Sequence, residues 1–449
     1  MRVLSIFVTV FTLVLVAPAA MGDDAISRLM HSTESLPQAP AAPRPAENVS
    51  APSVGARPRG PLPIVMSARI GDHDDRTRLV LELSDPVNLR AFSLANPDRV
   101  VIDMPEVAWK LGAPPRPTGY GAIKSYRYGL FRNGNSRMVL DLNRPVTVSD
   151  TLVLPPSNGF GYRVVIDLFP TNRARFDASA GWPADLKKRE SDAEKLAAMI
   201  AASQSPGGEA ARRGARGKVI VIDPGHGGLD SGTAGVNGLL EKDLVLAEGL
   251  RLARVLKARG YSVHMTRDDD TFIPLRQRVA MSRADRADLL ISLHADSNPD
   301  HEVTGLSIYT LSDGRSDREA AALAKRENQS DIIAGVDLSG DNNPVAPILI
   351  DLAQRDTINK SSRFATTALS SLKNVTDILA RSPHRSASLA VLVAPDVPAV
   401  LIELGYLSNR KDAAQMNTES WRSGVARAIA DAVDSQFAPP TRQALGNPE

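Results

Sequence analysis

The chain has 449 residues, 43% of them hydrophobic, which is enough for more than one folded domain. Its 53 Lys and Arg residues almost balance its 51 Asp and Glu residues, and no basic tract of the kind that nucleic-acid binders carry is present, so charge patterning does not indicate a nucleic-acid partner. The chain contains no cysteine, which excludes disulfides, thiolate catalysis and zinc sites built on cysteine. A bound metal must therefore be held by histidine and carboxylate side chains.

The first 22 residues have the pattern of a general secretory signal peptide. Arg2 precedes an apolar run over residues 3–16, and small residues suited to cleavage follow it. The run is shorter than the roughly 18 residues that span a bilayer, which favours a cleaved signal over a membrane anchor. No arginine pair precedes it, and no later segment is apolar enough to span a membrane. We therefore expect an exported protein with no transmembrane segment after signal removal.

Shifts in composition divide the rest of the chain. Residues 23–63 are rich in proline and alanine and are predicted to form a linker. Residues 64–170 contain short alternating strand patterns, whereas residues 217–437 alternate strand and helix patterns. Residues 171–216 are a second predicted linker, and residues 438–449 are a tail. The sequence thus predicts an all-β domain followed by an α/β domain.

The all-β region repeats itself. The pattern Arg-Leu-Val-Leu-Glu-Leu at residues 78–83 recurs as Arg-Met-Val-Leu-Asp-Leu at residues 137–142, and each copy is soon followed by Pro-Val. The pattern Arg-Val-Val-Ile-Asp occurs at residues 99–103 and again at residues 163–167. Two copies of one small β unit predict a two-sheet, pseudo-symmetric sandwich in which each copy covers the apolar face of the other.

This repeat resembles the AMIN domain, an exported module of cell-envelope proteins. The resemblance implies an all-β fold and targeting to peptidoglycan or to the division site. Several arginines of the module are candidates for contacts with carboxylates of a wall polymer, although such charges more often belong to a solvated strand face. These arginines are Arg76, Arg78, Arg127, Arg132 and Arg137. The module's sequence contains no catalytic constellation.

The second region alternates buried-strand and amphipathic-helix patterns, which predicts a mostly parallel, twisted sheet flanked by helices. Helices are predicted over residues 241–259 and 275–286. Strands are predicted over residues 219–222, 261–266, 288–293, 306–311, 389–393 and 399–402.

Residues suited to metal chemistry fall where these strands end. His226, His294 and Glu403 each follow a predicted strand, and Glu241 opens the first predicted helix. Because the carboxyl ends of parallel strands share one edge, the four side chains can converge in one crevice. Two histidines and one carboxylate are a common ligand set of zinc hydrolases, and a further carboxylate can take a proton from water. Taken singly, each histidine could be structural, and each glutamate could be an ordinary strand-end or helix-start charge.

Four motifs resemble those of zinc-dependent N-acetylmuramoyl-L-alanine amidases of the cell-separation type. They are Asp-Pro-Gly-His-Gly-Gly at residues 223–228, Glu-Lys-Asp at 241–243, Ile-Ser-Leu-His-Ala-Asp at 291–296, and Ile-Glu at 402–403 with Leu-Ser-Asn at 407–409. The resemblance implies Zn²⁺ bound by His226, Glu241 and His294, with Glu403 as the catalytic acid and base. It also implies cleavage of the amide between N-acetylmuramic acid and L-alanine of peptidoglycan, in the periplasm and at the septum, as daughter cells separate.

Residues 316–375 interrupt the minimal sheet pattern. They contain a helical stretch over residues 317–333, a loop rich in Gly, Asp and Asn, and a longer amphipathic helix over residues 346–372. The segment could be a simple surface excursion. Division amidases of the resembled family carry an inserted helix whose glutamate occupies the open zinc position; Glu327 matches that element best, and Glu319 is the runner-up. The resemblance therefore implies autoinhibition that a LytM-domain activator relieves.

Two other functions stay open at this point. The metal ligands alone do not select the amide that is cut, so a zinc peptidase acting within the stem peptide is the nearest alternative. A wall-binding regulator with a degenerate site is the non-enzymatic alternative, although all four residues needed for the chemistry are present.

Overall fold

The computed structural model describes residues 61–111, 120–132, 134–149, 151–188, 217–312, 317–336 and 352–438. The expected signal peptide, nearly all of the first linker, much of the second linker and nearly all of the tail lie outside the described residues. Within the described ranges, no helix is both long enough and apolar enough to cross a membrane.

The N-terminal domain is a two-sheet β-sandwich, which confirms the predicted architecture. Its strands are β1 (Ile64–Asp72), β2 (Thr77–Leu83), β3 (Arg90–Leu94), β4 (Arg99–Pro105), β5 (Ala108–Trp109), β6 (Ile123–Arg132), β7 (Asn135–Leu142), β8 (Val146–Val148), β9 (Leu152–Leu154) and β10 (Tyr162–Pro170). One sheet has the order β5-β1-β2-β10-β8, with β9 also paired to β10, and the other has the order β3-β4-β7-β6. Apolar side chains of both sheets form the core, and the short helix α1 (Arg173–Ser179) adds Phe176 to it.

The two copies of the sequence repeat exchange strands. β2 of the first copy pairs with β10 of the second, and β7 of the second copy pairs with β4 of the first. The expectation that each copy covers the other's apolar face was therefore wrong, since each sheet combines strands of both copies. The repeated Arg and Asp residues lie opposite each other across these pairings. Arg78 donates two hydrogen bonds of 2.7 Å to Asp167, and Arg137 donates two, of 2.5 and 2.8 Å, to Asp103, so each exchange carries one bidentate ion pair.

The C-terminal domain is a six-stranded sheet between two layers of helices, as predicted. Its strands are β11 (Val219–Pro224), β12 (Ser262–Met265), β13 (Leu289–His294), β14 (Ser307–Leu311), β15 (His384–Ala387) and β16 (Ala399–Glu403). They are arranged in the order β12-β11-β13-β16-β14-β15, and β14 and β15 run opposite to the other four.

The helices of this domain cover both faces of the sheet. They are α2 (Glu241–Ala258), α3 (Leu275–Ala284), α4 (Arg318–Glu327), α5 (Ser330–Ile333), α6 (Leu352–Leu372), α7 (Arg410–Met416) and α8 (Glu419–Phe437). In β11, Ile220 and Ile222 pack with α2, α6 and α8, whereas Val221 packs with the layer that contains α4. Because both faces are buried, the strand is apolar throughout, which is why its sequence predicts it well.

Two predicted elements differ from the structure. Residues 389–393 are not a strand, because Ala390–Leu392 forms a 3₁₀ helix that packs with α4. The strand of this region is β15, which pairs with β14 at the edge of the sheet. Its sequence, His-Arg-Ser-Ala, gives no strand signal because an edge strand needs little apolar surface.

The single helix predicted over residues 317–333 is divided into α4 and α5. The break falls at Asn328, whose side chain donates a hydrogen bond to the carbonyl oxygen of Ser388 and accepts one from the N–H of Ala390, both at 2.9 Å. These contacts tie the chain to the 3₁₀ helix and end α4. The helix predicted over residues 346–372 corresponds to α6 from Leu352 onward, and residues 346–351 lie outside the described part of the chain.

Glu248 in α2 is a buried carboxyl group with no hydrogen-bond partner among the described residues, and the guanidinium of Arg251 lies 3.9 Å away. Burial raises the pKa of Glu248 to about 8, although Arg251 opposes the rise. In the unfolded chain the same group has its ordinary value of 4.5. Between these two pH values, the folded state holds a proton that the unfolded state has lost.

We expect the free energy of unfolding to fall as the pH rises from 4.5 to about 8, because folding then forces the Glu248 carboxyl to keep a proton or bury a charge. Glu248→Gln should remove this dependence and be more stable than the parent near pH 9 by roughly 2–4 kcal/mol, since one pKa unit is worth about 1.4 kcal/mol. Thermal unfolding of both proteins at low and high pH measures this difference. Glu302→Gln, on an exposed loop, is the control; a Glu248→Gln effect equal at both pH values would contradict the prediction.

Candidate metal centre

Three side chains suited to bind a metal meet at the carboxyl ends of neighbouring parallel strands. His226 follows β11, His294 ends β13, and Glu241 is the first residue of α2. Oε1 of Glu241 lies 3.1 Å from Nε2 of His226 and 3.3 Å from Nδ1 of His294. All three side chains are buried. The structure therefore brings together the three residues that the sequence proposes as ligands.

The loop after β11 presents His226 in an unusual backbone conformation. His226 has a φ angle of +58°, and Gly227 follows with +120°. Two buried arginines hold this conformation: Arg278 donates to the carbonyl oxygen of His226 at 2.6 Å, and Arg267 donates to that of Gly225 at 2.7 Å. A positive φ angle at a residue other than glycine costs of order 1 kcal/mol, so these contacts stabilise a strained histidine.

Two glycines let the ligands approach each other. A Cβ atom at Gly225 would lie 2.4 Å from the ring of His294. A Cβ atom at Gly232 would lie 2.6 Å from Oε2 of Glu241. Any larger residue at either position would displace a ligand side chain.

Hydrogen bonds orient the ligands. Nδ1 of His226 lies 2.9 Å from Oδ2 of Asp230, so its Nε2 atom faces the crevice. Oε1 of Glu241 accepts a hydrogen bond from the N–H of Ala295 at 2.8 Å, and Oε2 accepts one from the N–H of Thr233 at 2.9 Å. A carboxylate behind a histidine ligand selects its tautomer and fixes the ring plane, as is common around protein metals.

The ring nitrogens that face the crevice fit a metal ion. Nε2 of His226 and Nδ1 of His294 are buried and form no hydrogen bond of normal geometry among the described residues, although carboxylate oxygens of Glu241 and Glu327 lie 3.0–3.6 Å from them. Their distances of 3.1 and 3.3 Å from Glu241 are close to the edge of a tetrahedron, about 3.3 Å, whose metal–ligand bonds are about 2.0–2.1 Å. Buried nitrogens that lie beside a carboxylate without a normal hydrogen bond are the atoms that a zinc ion would satisfy.

Negative charge dominates the crevice. Burial lowers the pKa of His294, but Glu327 and Glu241 raise it to about 10. Burial also lowers the pKa of His226, yet the charges of Glu241 and Asp230 raise it well above its ordinary value. Burial raises the pKa of Glu241, but the two histidines hold it well below its usual range. The carboxylates therefore attract positive charge strongly, and a divalent cation can take the place of the protons on the histidines.

Glu403 ends β16 and lies opposite His294 of β13. Its Oε2 atom accepts a hydrogen bond of 3.0 Å from the N–H of Asp296, whereas its buried Oε1 atom has no hydrogen-bond partner within the described ranges. Burial raises the pKa of Glu403 well above its usual value; His294 opposes this rise and Asp296 adds to it. A carboxyl group with one unpartnered oxygen and a raised pKa is suited to accept and return a proton.

Glu327, at the end of α4, also reaches this crevice. Its Oε2 atom lies 3.0 Å from Nδ1 of His294 and 3.6 Å from Nε2 of His226, and the side chain is buried. The other candidate, Glu319, lies on the surface and pairs with Arg385 at 2.8 Å. Of the two glutamates, Glu327 is thus the one beside the candidate ligands.

Further contacts hold α4 and α5 over the crevice. Arg326 donates a hydrogen bond of 2.8 Å to the carboxylate of Asp296, the residue whose N–H binds Glu403. Ser330 donates to Asp230, the carboxylate behind His226. Asp331 accepts a hydrogen bond of 3.0 Å from the first N–H of α3. The two helices therefore contact the residues that orient the ligands as well as the ligands themselves.

Sequence reasoning assigned no role to several residues of this site. They are Asp230, Asp296, Arg267 and Arg278. The sequence did contain a signal for Asp230, since this carboxylate closely follows His226 in the same glycine-rich loop. Arg278 had none, because an arginine on a predicted amphipathic helix is expected on its exposed face. Its burial becomes visible only when α3 packs against the His226 loop.

Comparison with known proteins identifies relatives of both domains. The N-acetylmuramoyl-L-alanine amidase family matches residues 220–435, and the AMIN domain family matches residues 67–154. The N-acetylmuramoyl-L-alanine amidase AmiC of Escherichia coli O6:H1 is 35% identical over 381 residues, which cover 83% of this chain and 89% of the relative. AmiC of Neisseria meningitidis serogroup B is 34% identical over 382 residues, with the same coverage of 83% and 89%. The solved structure of amidase AmiC2 of Nostoc punctiforme is 27% identical, with a TM-score of 0.35, and the match covers 49% of this chain and 96% of that one.

Asp230→Asn should weaken zinc binding by about 10–100-fold, because the amide cannot hold His226 as the carboxylate does. Zinc affinity is measured by competition with a chromogenic chelator. The matched control is Asp285→Asn, since Asp285 Oδ1 lies 2.9 Å from Nδ1 of His264 in an equivalent pair outside the site. Equal affinities in Asp230→Asn and the parent would show that this pair does not support metal binding.

Proposed function

The chain belongs to the N-acetylmuramoyl-L-alanine amidases, and we propose that it is a zinc-dependent member that acts on peptidoglycan in the periplasm. It cleaves the amide between N-acetylmuramic acid and the L-alanine of the stem peptide. The observation that carries the zinc dependence is the buried group of His226, Glu241 and His294, whose crevice-facing nitrogens lie 3.1 and 3.3 Å from Oε1 of Glu241. The two relatives named AmiC, each matched over 83% of this chain, support the amidase activity.

Glu403 provides the acid–base chemistry of this mechanism. A bound zinc ion supplies Lewis-acid chemistry, since it lowers the pKa of a water molecule to about 7 and polarises a carbonyl group. Glu403 accepts the proton of the attacking water through Oε1, which has no hydrogen-bond partner among the described residues, and returns it to the leaving amine. The N–H of Asp296 keeps the carboxylate oriented through the other oxygen. The raised pKa of Glu403 allows it to hold the proton between the two steps.

Export and targeting place the enzyme on its substrate. The signal pattern of residues 1–22 supports secretion, and the match of residues 67–154 to the AMIN domain supports binding to peptidoglycan or to a component of the division site. The enzyme then acts at the septum during the separation of daughter cells.

In the resting enzyme, α4 keeps the site inactive. The supporting observation is the position of Glu327, whose carboxylate lies 3.0 Å from Nδ1 of His294, in the space that water needs beside the ligands. A LytM-domain activator relieves this inhibition by displacing α4 and α5. The ion pair between Arg326 and Asp296 has to break in the same movement.

Glu403→Ala should keep bound zinc but lose hydrolysis by at least about 10²-fold, because its proton acceptor is gone while the ligands remain. His294→Ala should lose both zinc and activity. Both changes are made in a Glu327→Gln background, so that the starting activity is measurable. Zinc content is measured by elemental analysis, and products released from sacculi by mass spectrometry.

The products separate the possible functions. Free stem peptides identify an amidase, peptides cut within the stem identify a zinc peptidase, and no release identifies a wall-binding regulator. An active Glu403→Ala variant would refute the role assigned to Glu403.

Glu327→Gln should raise basal hydrolysis of labelled sacculi by about tenfold or more, since a neutral amide is a much weaker competitor for the metal position and about 1.4 kcal/mol gives a factor of ten. The matched control is Glu319→Gln, on the same helix but paired with Arg385 at the surface. Equal basal rates in Glu327→Gln, Glu319→Gln and the parent, all folded and zinc-loaded, would argue against autoinhibition by Glu327.

A further inference from the structure

Three arginines of the AMIN domain donate hydrogen bonds to the end of α5 and to the residues that follow it. They lie on β4, β6 and β7, which belong to the sheet β3-β4-β7-β6. The three contacts are Arg99 Nη1 to the carbonyl oxygen of Ile332 at 2.7 Å, Arg127 Nε to that of Ile333, and Arg137 Nη1 to that of Gly335 at 2.9 Å. The last carbonyl groups of a helix have no partner within it and favour cations, so these contacts stabilise the end of α5.

The AMIN domain holds these arginines in place through its own contacts. Arg137 pairs with Asp103 across the exchanged strands, and Arg127 pairs with Asp141. Arg99 and Arg137 are each only 1% exposed. The expectation that Arg127 and Arg137 lie on a solvated face or meet a wall polymer was therefore wrong, because both bind the chain's own catalytic domain.

The same sheet packs its outward apolar residues on that chain. Alternate residues of β4 and β7 face away from the sandwich core, among them Val101 and Val139, and these lie in one cluster with Ala334 and Val336. A Cβ atom at Gly335 would lie 3.1 Å from a methyl group of Val101 and of Val139. The contact is thus close as well as polar, and it leaves no room for a side chain at Gly335.

The sheet also touches the loop that carries His226. A Cβ atom at Gly228 would lie 1.9 Å from the carbonyl oxygen of Leu130 in β6. The rings of Phe131 and Phe272 stack with their centroids 6.0 Å apart. The AMIN domain is therefore seated on the rim of the metal centre, with the end of α5 beside it.

From these contacts we infer that the AMIN domain is a brace that holds residues 317–336, called here the inhibitory segment, in its closed position. The inference rests on the proposed autoinhibition, because it explains what keeps Glu327 in the crevice. The middle of the inhibitory segment is held at the crevice, by Glu327 beside His294 and by Arg326 paired with Asp296. Its C-terminal end is held by the arginines of the AMIN domain. Any event that separates the domains then weakens the hold on Glu327, so domain docking regulates the active site.

The test uses full-length, zinc-loaded proteins. The first variant combines Arg99→Met with Arg127→Met, which removes two guanidinium groups and keeps apolar stems. The second is Val336→Ala, which removes an apolar contact with the brace from the side of the inhibitory segment and leaves the AMIN domain unchanged. The matched control is Arg69→Met on β1 of the other sheet, where Arg69 pairs with Glu82.

Because the chain contains no cysteine, a single introduced thiol can report whether the inhibitory segment is closed, independently of activity. Ala334→Cys is introduced into every protein as its single thiol, at a site that is 0% exposed. Maleimide labelling should be about tenfold faster in both brace variants than in the parent and in Arg69→Met, the factor expected for a loss of about 1.4 kcal/mol. Release of stem peptides from sacculi should rise about tenfold in the same two variants, towards the rate of Glu327→Gln.

Each outcome decides the inference. Labelling at the parental rate in both brace variants would overturn it. Faster labelling of the brace variants with hydrolysis at the parental rate, when Glu327→Gln is active, would also overturn it. The segment would then open without freeing the site. If Glu327→Gln itself releases no stem peptide, the proposed function fails, and the labelling rates alone decide whether the AMIN domain braces the segment.

Discussion

The burial of several carboxylates at one edge of a sheet is the constraint on which the rest of this structure depends. Glu241, Asp296, Glu327 and Glu403 are all nearly inaccessible to solvent and lie around one crevice. Charges removed from water are costly unless they are paired, so each carboxylate needs a positive partner or hydrogen-bond donors. The two histidines, Arg326 and backbone N–H groups supply part of this compensation, and the proposed zinc ion would supply the remainder.

The demand for positive charge explains the surroundings of the crevice. The loop after β11 adopts backbone angles that only buried arginines and glycines make tolerable, and this strain aims His226 at Glu241. The same demand explains why α4 can close the site. Glu327 is attracted to the positive charge of the histidines, which the other carboxylates favour. Arg326 forms an ion pair with Asp296. Under the proposed autoinhibition, the closed state is held by contacts with residues of the site itself, and opening requires these contacts to break.

Local patterns were sufficient to predict the parts of the fold in which each residue's surroundings follow from its neighbours in sequence. β11, β13 and β16 are buried on both faces, so their apolar runs identify them, and the positions of His226, His294 and Glu403 at their ends follow. β15 was missed because it is a mostly polar edge strand that pairs with β14, so its sequence carries little apolar signal. The exchange of strands between the two repeats was missed for a related reason. The exchange brings together residues that are far apart in the chain, such as Arg78 of β2 and Asp167 of β10, and no local pattern reveals such a pairing.

The sequence by itself determined the residue types and their strand-end positions: His226, His294 and Glu403 could be named as a group because parallel strands align their carboxyl ends. Tertiary structure alone decided which glutamate of α4 enters the crevice. Glu319 and Glu327 lie on one helix with directions about 80° apart, and nothing local tells which direction meets the metal site. It also decided the role of the AMIN arginines, because a guanidinium group binds any carbonyl group or carboxylate that packing brings within reach. The sequence shows which residues are charged, whereas the partner of each charge depends on which distant surfaces of the folded chain come into contact.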